Sequence, residues 1–285
     1  VFTETLHQQG YQTRVFTSSS LDGFSLGKLF FARVPEKQIF TDKSDEQVVT
    51  QYVESLKTAT SAPRFDFLFL TSSHSPYTYP PQYARFKPLP TLKGGFALDK
   101  HADNIPYKND YHNSLFYSDA LLGRVLDAAQ KSGAMDNSWV VITGDHAEEF
   151  NENGLGYWGH GSNFTRWQTQ TPLLVMSPGQ FAGRHESRLS LHQDIVPTLM
   201  QEALSCKSSI ESYSSGVNLF HLPERRGTML ASYMMQAYWF DDVVFDRTTN
   251  RSYDWRDMKQ ARRLADMEAV RDLMNEERRF LSGAR

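Results

Sequence analysis

The chain has 285 residues, of which 40% are hydrophobic and 13% aromatic, enough apolar material for one large α/β domain or two small ones. Its formal net charge of -3 shows no excess of lysine and arginine, which argues against a nucleic-acid-binding protein. Cys206 is the single cysteine, so no intrachain disulfide is possible, and no segment approaches the roughly 18 consecutive apolar residues of a membrane-spanning helix.

Strands and helices are predicted in alternation through residue 204. Helices are expected at 1–9, which Gly10 ends, and after Ser44, which with Gln47 fits a capping box. The apolar patterns then predict, in chain order, a strand at 12–18, a strand at 65–70, a long helix at 111–131, strands at 139–143 and 172–176, and a helix at 194–204.

This alternation predicts an α/β fold with a mostly parallel sheet flanked by helices on both faces. The short apolar runs 65–70, 139–143 and 172–176 are expected to lie in that one sheet, buried on both faces. The pattern changes after Gly216, where 228–246 is β-rich, 247–251 resembles a hairpin turn and about 258–281 forms a basic helix. We therefore expect a core at 1–222 and a small C-terminal β-hairpin plus helix subregion at 223–285.

Polar residues follow two of the predicted strands. Asp145 and His146 come directly after 139–143, His74 follows 65–70, and His160 lies between two glycines in Trp-Gly-His-Gly. Carboxylate and imidazole groups at a strand end are suitable ligands for Zn²⁺ or Mn²⁺, and ligands of parallel sheets gather at this edge. The alternative is an aspartate that caps the next element beside unrelated loop histidines.

Two further acidic residues extend this segment. Glu148 is expected to be an ordinary early helix residue, which the helix dipole favours. For Glu149 that interpretation and a role in orienting His146 are equally supported.

Several of these segments together resemble a known signature. They are Thr-Gly-Asp-His-Ala-Glu-Glu-Phe at 143–150, Trp-Gly-His-Gly at 158–161, Gln-Thr-Pro-Leu-Leu-Val at 170–175, His-Gln-Asp-Ile-Val-Pro-Thr-Leu at 192–199 and Tyr-Ser-Ser-Gly-Val-Asn-Leu-Phe at 213–220. The chain resembles the alkaline phosphatase/sulfatase superfamily over about 1–222, especially the branch of lipoteichoic-acid synthases and phosphoethanolamine transferases. Segments 6–11, 18–24, 44–47 and 275–280 are similar to inner-membrane sulfatase-like proteins of that branch.

The resemblance implies roles for individual residues. Asp145 and His146 would bind a divalent metal (Zn, Mn, Ca or Mg), and His74 and His160 would contact phosphoryl or sulfuryl oxygens or a second metal. The family's nucleophile and a further acidic ligand lie in segments N-terminal to those matched, so no catalytic nucleophile is expected within these residues and metal binding is expected to be weak. Ala147 replaces the usual glycine and would be strained if the position needs a positive φ.

The implied function is metal-dependent hydrolysis or transfer of sulfate or phosphate esters, in the periplasmic domain of an inner-membrane protein whose N-terminal spans the sequence lacks. The alternative is a non-catalytic module with a relict site, which binds anionic lipid headgroups or a partner and regulates envelope (lipopolysaccharide) homeostasis. A weaker alternative is a structural interaction domain.

Basic residues near the C-terminus bear on membrane contact. Arg256, Lys259, Arg262 and Arg263 could approach anionic lipid headgroups, or they could only solubilise the last helix. The paired arginines at 225–226, 262–263 and 278–279 are expected on solvated faces.

Overall fold

The computed structural model describes residues 2–21, 26–58, 60–93, 99–179, 183–260 and 266–281. The chain divides into two compact units. One comprises Val1–Ala97 and Asp103–Ser138, and the other comprises Leu98–Ala102 and Trp139–Arg285.

The first unit is built on a parallel sheet. Its elements are α1 (Phe2–Gln8), β1 (Gln12–Thr17), α2 (Leu26–Phe30), β2 (Ile39–Thr41), α3 (Asp45–Ser55), β3 (Arg64–Phe69) and α4 (Ile105–Lys131). The strand order is β2-β1-β3, with both neighbours parallel to β1. The predicted cap of α3 is confirmed, because Ser44 Oγ accepts a hydrogen bond from the Gln47 amide at 3.3 Å.

Helical segments cover both faces of this sheet. Phe16 of β1 packs against Val48 and Tyr52 of α3, and its register partner Leu68 lies on the same face. On the opposite face of β3, Phe65 meets Phe2 of α1 at a ring-centroid distance of 5.5 Å and Phe67 meets Phe31, which follows α2, at 5.1 Å. The predicted α/β class is confirmed.

The second unit contains the polar segments singled out in the sequence. Its elements are β4 (Val140–Thr143), β5 (Glu149–Phe150), β6 (Trp158–Gly159), α5 (Arg166–Thr169), β7 (Leu173–Met176), α6 (Ile195–Thr198), β8 (Gly227–Ala231), β9 (Gln236–Phe240), β10 (Val243–Asp246), β11 (Arg251–Asp254) and α7 (Met267–Leu281). The segment predicted as a helix at 194–204 is helical from Ile195 to Ala203, where α6 continues into a π-helical turn, and a 3₁₀ turn precedes it.

The C-terminal strands form an antiparallel sheet in the order β11-β10-β9-β8. Helix α7 packs on it through Val270, which lies against Tyr238, Phe240 and Val243. The predicted turn at 247–251 joins β10 to β11. The described part of the last helix begins at Met267 rather than near 258, and Arg262 and Arg263 lie outside the described residues.

The expectation of one sheet for the three apolar runs is wrong. Strand β3 belongs to the parallel sheet of the first unit, whereas β4 and β7 pair with each other, antiparallel, with Val140 opposite Met176. The side chains of these two strands are partly exposed rather than buried on both faces, and Leu174 is 52% exposed. The apolar runs predicted strands correctly but not their partners, since periodicity carries no information about pairing.

One pair of arginines is also placed differently from expectation. The Arg225 guanidinium donates to both oxygens of Asp194, at 2.7 and 2.8 Å, and Asp194 is completely buried. Asp194 also accepts from the backbone amides of Leu191 and Val217, so it joins the start of α6 to the segment near 217. Arg226 is 70% exposed, as predicted.

Within the residues described, no helix is both long and apolar enough to cross a bilayer.

Candidate metal and anion site

The site is built on the turn that follows β4 and on the short hairpin of β5 and β6. Strand β4 ends at Thr143, and the chain continues through Gly144 to Asp145 and His146. In the hairpin, Glu149 pairs with Gly159 and Phe150 with Trp158. This pairing places the residues just before β5 beside those just after β6.

Asp145 and His146 form a pair with the spacing of two metal ligands. Asp145 Oδ2 lies 3.6 Å from His146 Nε2. One ion with bonds of about 2.0–2.1 Å to each atom fits this separation. His146 Nδ1 lies 3.1 Å from the Ala147 carbonyl oxygen, and donation to that oxygen leaves Nε2 as the metal-binding nitrogen. The donors therefore suit a divalent cation.

His160 is held by a carboxylate. Its Nδ1 lies 2.8 Å from Glu148 Oε2, and the Glu148 side chain is only 8% exposed. The hydrogen bond to Glu148 raises the pKa of His160, partial burial opposes it, and the negative charges of Glu148 and Asp145 add to the rise. From the sequence, Glu148 was expected to be an ordinary early helix residue, so its hydrogen bond to His160 was not predicted.

The two histidines lie face to face. The His146 and His160 rings stack with centroids 3.7 Å apart and planes at 29°. Ligand atoms of His146, Glu148 and His160 also lie within 4.8 Å of one another, so these three could hold an ion. A protonated His160 has no lone pair for a metal, whereas it can donate to an anion. Because Glu148 already occupies Nδ1 of His160, we treat Asp145 and His146 as the candidate ligands and His160 as a candidate anion-binding group.

Two glycines make this arrangement possible. Gly159 and Gly161 flank His160 and have φ values of +82° and +76°, a region that other residues rarely adopt. Ala147, in contrast, has no positive φ, so the replacement of glycine there brings no strain.

Glu149 has a structural position beneath the site. It is completely buried, and its two oxygens accept from the side-chain amides of Asn153 at 2.6 Å, Asn163 at 2.7 Å and Gln168 at 2.7 Å. No lysine or arginine of the described chain forms an ion pair with it. Three neutral amides therefore satisfy a buried carboxylate, which is costly to bury unless its oxygens are hydrogen-bonded.

Gln168 of α5 links this carboxylate to the His160 loop. Its Oε1 accepts from the amides of Ser162 at 3.0 Å and Asn163 at 3.2 Å, and its backbone oxygen accepts from Ala147 at 3.1 Å. The network thus fixes the loop that follows His160 relative to the segment that carries His146 and Glu148.

A further histidine lies beside Asp145 and His146. His192 donates from Nε2 to the Gly144 carbonyl oxygen at 2.8 Å and lies 3.3 Å from Thr143 Oγ1. It therefore supports the backbone immediately before Asp145. His192 belongs to segment 192–199, which carries part of the family resemblance, but the sequence did not predict its contact with Gly144.

His74 lies in the other unit. It is exposed in the turn after β3, where its amide donates to the Thr71 carbonyl oxygen at 3.0 Å. The expected approach of His74 to Asp145, His146 and His160 stays a prediction.

Comparison with known proteins gives a consistent family. The model of the Sulfatase family matches residues 2–203. The inner membrane protein YejM of Salmonella typhimurium is 27% identical over 80% of this chain and 34% of its own length. An uncharacterized protein of Haemophilus influenzae is 34% identical over 78% of this chain and 32% of its own. The chain spans about a third of the length of these curated relatives.

Solved structures support the same fold. A protein solved in complex with its substrate D-glucosamine-2-N,6-O-disulfate has a TM-score of 0.72 at 14% identity, covering all of this chain and 83% of that one. The phosphonate monoester hydrolase of Agrobacterium radiobacter has a TM-score of 0.65 at 15% identity, covering 97% and 78%. At these identities the likeness concerns the fold.

Proposed function

The chain belongs to the Sulfatase family, and on that premise we propose that it is the metal-binding part of a domain that hydrolyses or transfers phosphate or sulfate esters. The observation that carries this proposal is the pair Asp145 Oδ2 and His146 Nε2, 3.6 Å apart, with the Glu148-bound His160 ring stacked 3.7 Å from His146. One metal position and one anion donor thus lie side by side.

A divalent ion held by Asp145 and His146 would polarise an ester oxygen and stabilise charge that develops on it. Side chains of the protein would orient the metal ligand and bind the ester. His146 is oriented by its Nδ1 contact with Ala147, and Glu148 orients His160 so that the imidazolium donates to a peripheral oxygen of the ester. His74 is proposed to contact the same group, as the family resemblance implies.

The donor set favours some metals. An imidazole nitrogen beside a carboxylate suits Zn²⁺ or Mn²⁺ better than Ca²⁺ or Mg²⁺, which prefer oxygen ligands alone. A closed site needs three or four protein ligands, so a pair alone binds weakly. The expectation that the nucleophile lies outside these residues also stays a prediction.

The location proposed is the periplasmic part of an inner-membrane protein. It is supported by the likeness to YejM, whose name places it in the inner membrane. The proposed contact of the C-terminal basic residues with anionic lipid headgroups has less support, because Arg256 is paired with Asp242 at 2.7 Å.

Calorimetric titration tests the proposal. Wild type should bind Zn²⁺ or Mn²⁺, and Asp145→Ala should weaken metal binding at least tenfold. Loss of a residue that only supports a metal ligand already weakens metal affinity by about 10–100-fold. Asp272→Asn is the matched control, because that carboxylate is 70% exposed on α7. With metal present, His160→Ala should weaken binding of inorganic phosphate while the metal affinity stays within about threefold, because its imidazolium makes a charge-assisted hydrogen bond to the anion.

Equal metal binding by wild type and Asp145→Ala would refute the proposed site. Phosphate binding without turnover in the longer protein would support the non-catalytic alternative. Efficient aryl-ester hydrolysis by the 285-residue chain, abolished by Asp145→Ala, would refute the prediction that the nucleophile lies elsewhere.

A further inference from the structure

A buried carboxylate lies at the start of α3, in the unit that contains the parallel sheet. Asp45 is only 3% exposed and directly follows the N-cap residue Ser44. Its Oδ1 accepts hydrogen bonds from the Thr71 amide at 3.0 Å and from the Ser18 hydroxyl, and its Oδ2 accepts from the Ser72 amide at 2.7 Å. The carboxylate therefore joins the residues that follow β1 and β3, at the carboxyl edge of the sheet.

These contacts lie beyond the paired parts of the two strands. The ladder between β1 and β3 runs from Gln12 opposite Arg64 to Thr17 opposite Phe69, so it ends before the residues that Asp45 contacts. A buried charge is costly unless it is paired and hydrogen-bonded. None of the ion pairs within the described ranges includes Asp45. A carboxylate kept there without a cation points to a role in fixing the segment after β3.

That segment is the turn that carries His74, comprising residues 71–78 and called the His74 turn. The His74 amide donates to the Thr71 carbonyl oxygen at 3.0 Å, and the Thr78 amide donates to the Ser72 carbonyl oxygen at 3.0 Å. The carboxylate thus accepts from the amides of the same two residues whose carbonyl oxygens close the turn.

The far end of the His74 turn is fixed separately. The Tyr77 amide donates to the His74 carbonyl oxygen at 2.9 Å, and the buried Tyr77 ring lies 5.5 Å from the Tyr111 ring of α4. Lys93 Nζ donates to the Tyr77 carbonyl oxygen at 3.3 Å. His74 Nδ1 lies 2.8 Å from the Ser75 carbonyl oxygen, which restricts the imidazole ring. The backbone is therefore held on both sides of His74, while the side chain of His74 is exposed.

We propose that Asp45 is a positioning residue, which fixes the His74 turn in the conformation in which His74 contacts the phosphoryl or sulfuryl group. This inference rests on the proposed function, in which His74 makes that contact. Asp45 acts through two backbone amides and touches no atom of the ester. A side chain whose backbone is already fixed loses less conformational entropy when it binds an anion, so the anion binds more tightly.

Titration of inorganic phosphate into the chain in the presence of Zn²⁺ tests this role. His74→Ala should weaken phosphate binding about tenfold, because one hydrogen bond to the anion is lost. Asp45→Asn should weaken it about fivefold, because asparagine has one acceptor oxygen and leaves one of the two turn amides without its acceptor. The double variant should bind phosphate within about twofold of His74→Ala alone, because Asp45 acts only through His74.

Glu46→Gln is the matched control. Glu46 lies in the same first turn of α3, but its side chain accepts from Tyr117 and Arg124 of α4 rather than from the His74 turn. The phosphate affinity of this variant should stay within about twofold of wild type. Zn²⁺ affinity should stay within about twofold in every variant, which shows that the metal site is intact.

Thr71→Val is a milder variant of the same kind. The Ser18 hydroxyl donates to Asp45, so the Thr71 hydroxyl, 2.8 Å from Ser18 Oγ, donates to that oxygen. Valine keeps the shape of the side chain and removes this bond, so phosphate binding should weaken about threefold in the presence of His74 and hardly at all in its absence. Should Asp45→Asn fail to fold, an unchanged phosphate affinity in Thr71→Val would overturn the positioning role.

The remaining outcomes separate this inference from the proposed function. Equal phosphate affinities of wild type and Asp45→Asn would overturn the positioning role and leave the proposed function standing. Losses that add in the double variant would also overturn it, because such an effect does not pass through His74. A wild-type phosphate affinity in His74→Ala would remove His74, and Asp45 with it, from the anion site. No phosphate binding by wild type would overturn both proposals.

Discussion

The substitution Glu149→Gln tests whether the buried carboxylate holds the site together. Its two oxygens accept three amide hydrogen bonds, one at Oε1 from Asn153 and two at Oε2 from Asn163 and Gln168. A glutamine has one acceptor oxygen and one amide group. In its better orientation the oxygen keeps the two bonds at Oε2, and the new amide faces the Asn153 amide, donor against donor.

The expected cost follows from these contacts. One buried donor loses its acceptor, which costs about 1–3 kcal/mol. The two bonds that remain change from charge-assisted to neutral, and each weakens by about 1 kcal/mol. Removal of a buried charge offsets part of this loss. We expect the free energy of unfolding of the second unit to fall by about 2–4 kcal/mol in total.

Hydrogen exchange measures the effect where it should arise. The amides of Ser162 and Asn163 donate to Gln168, which Glu149 holds, so both should exchange faster in Glu149→Gln. Urea unfolding followed by tryptophan fluorescence gives the overall change, and Glu268→Gln, at a side chain that is 79% exposed, is the control. A midpoint equal to that of wild type, with unchanged exchange at both amides, would show that the network does not stabilise the loop.

Two further predictions concern ion pairs. Glu148→Gln should lower the pKa of His160 in an NMR titration, because the hydrogen bond to Glu148 is the largest cause of the rise of that pKa. In wild type the pair stabilises the fold fully below the unfolded histidine pKa of about 6.5, and this stabilisation is lost as pH rises through the higher folded pKa. An unchanged titration would contradict this cause. Arg225→Met should lower the free energy of unfolding by about 3–5 kcal/mol, because it leaves Asp194 buried without its cation. Arg226→Met, at an exposed ion pair, should change it by less than about 1 kcal/mol. Similar urea midpoints for the two variants would refute this difference.

Local signals in the sequence were sufficient for most elements of the first unit. Ser44 predicted the start of α3, and the apolar stripe at 111–131 lies within α4, which begins earlier at Ile105. These features depend on neighbours three or four residues away, which sequence patterns contain. Strand pairing depends on residues far apart in the chain, which is why the antiparallel partnership of β4 and β7 was not predicted.

The same distinction explains the site. The sequence singled out Asp145, His146 and His160, and the structure brings their side chains together in one unit. It assigned Glu148 an ordinary role because a helix was expected after His146. The structure has strand β5 from Glu149 instead, with the Glu148 side chain bonded to His160 and the Glu149 side chain completely buried.

Three carboxylates within five residues thus have three different environments. Glu149 is satisfied by neutral amides, and Glu148 is paired with His160. Asp145 is 72% exposed, and within the described chain its ion-pair contact is the 3.6 Å approach to His146, with no lysine or arginine beside it. Because a histidine that supplies its lone pair cannot also neutralise this charge, an ion shared by Asp145 and His146 stays the arrangement that we propose for this pair.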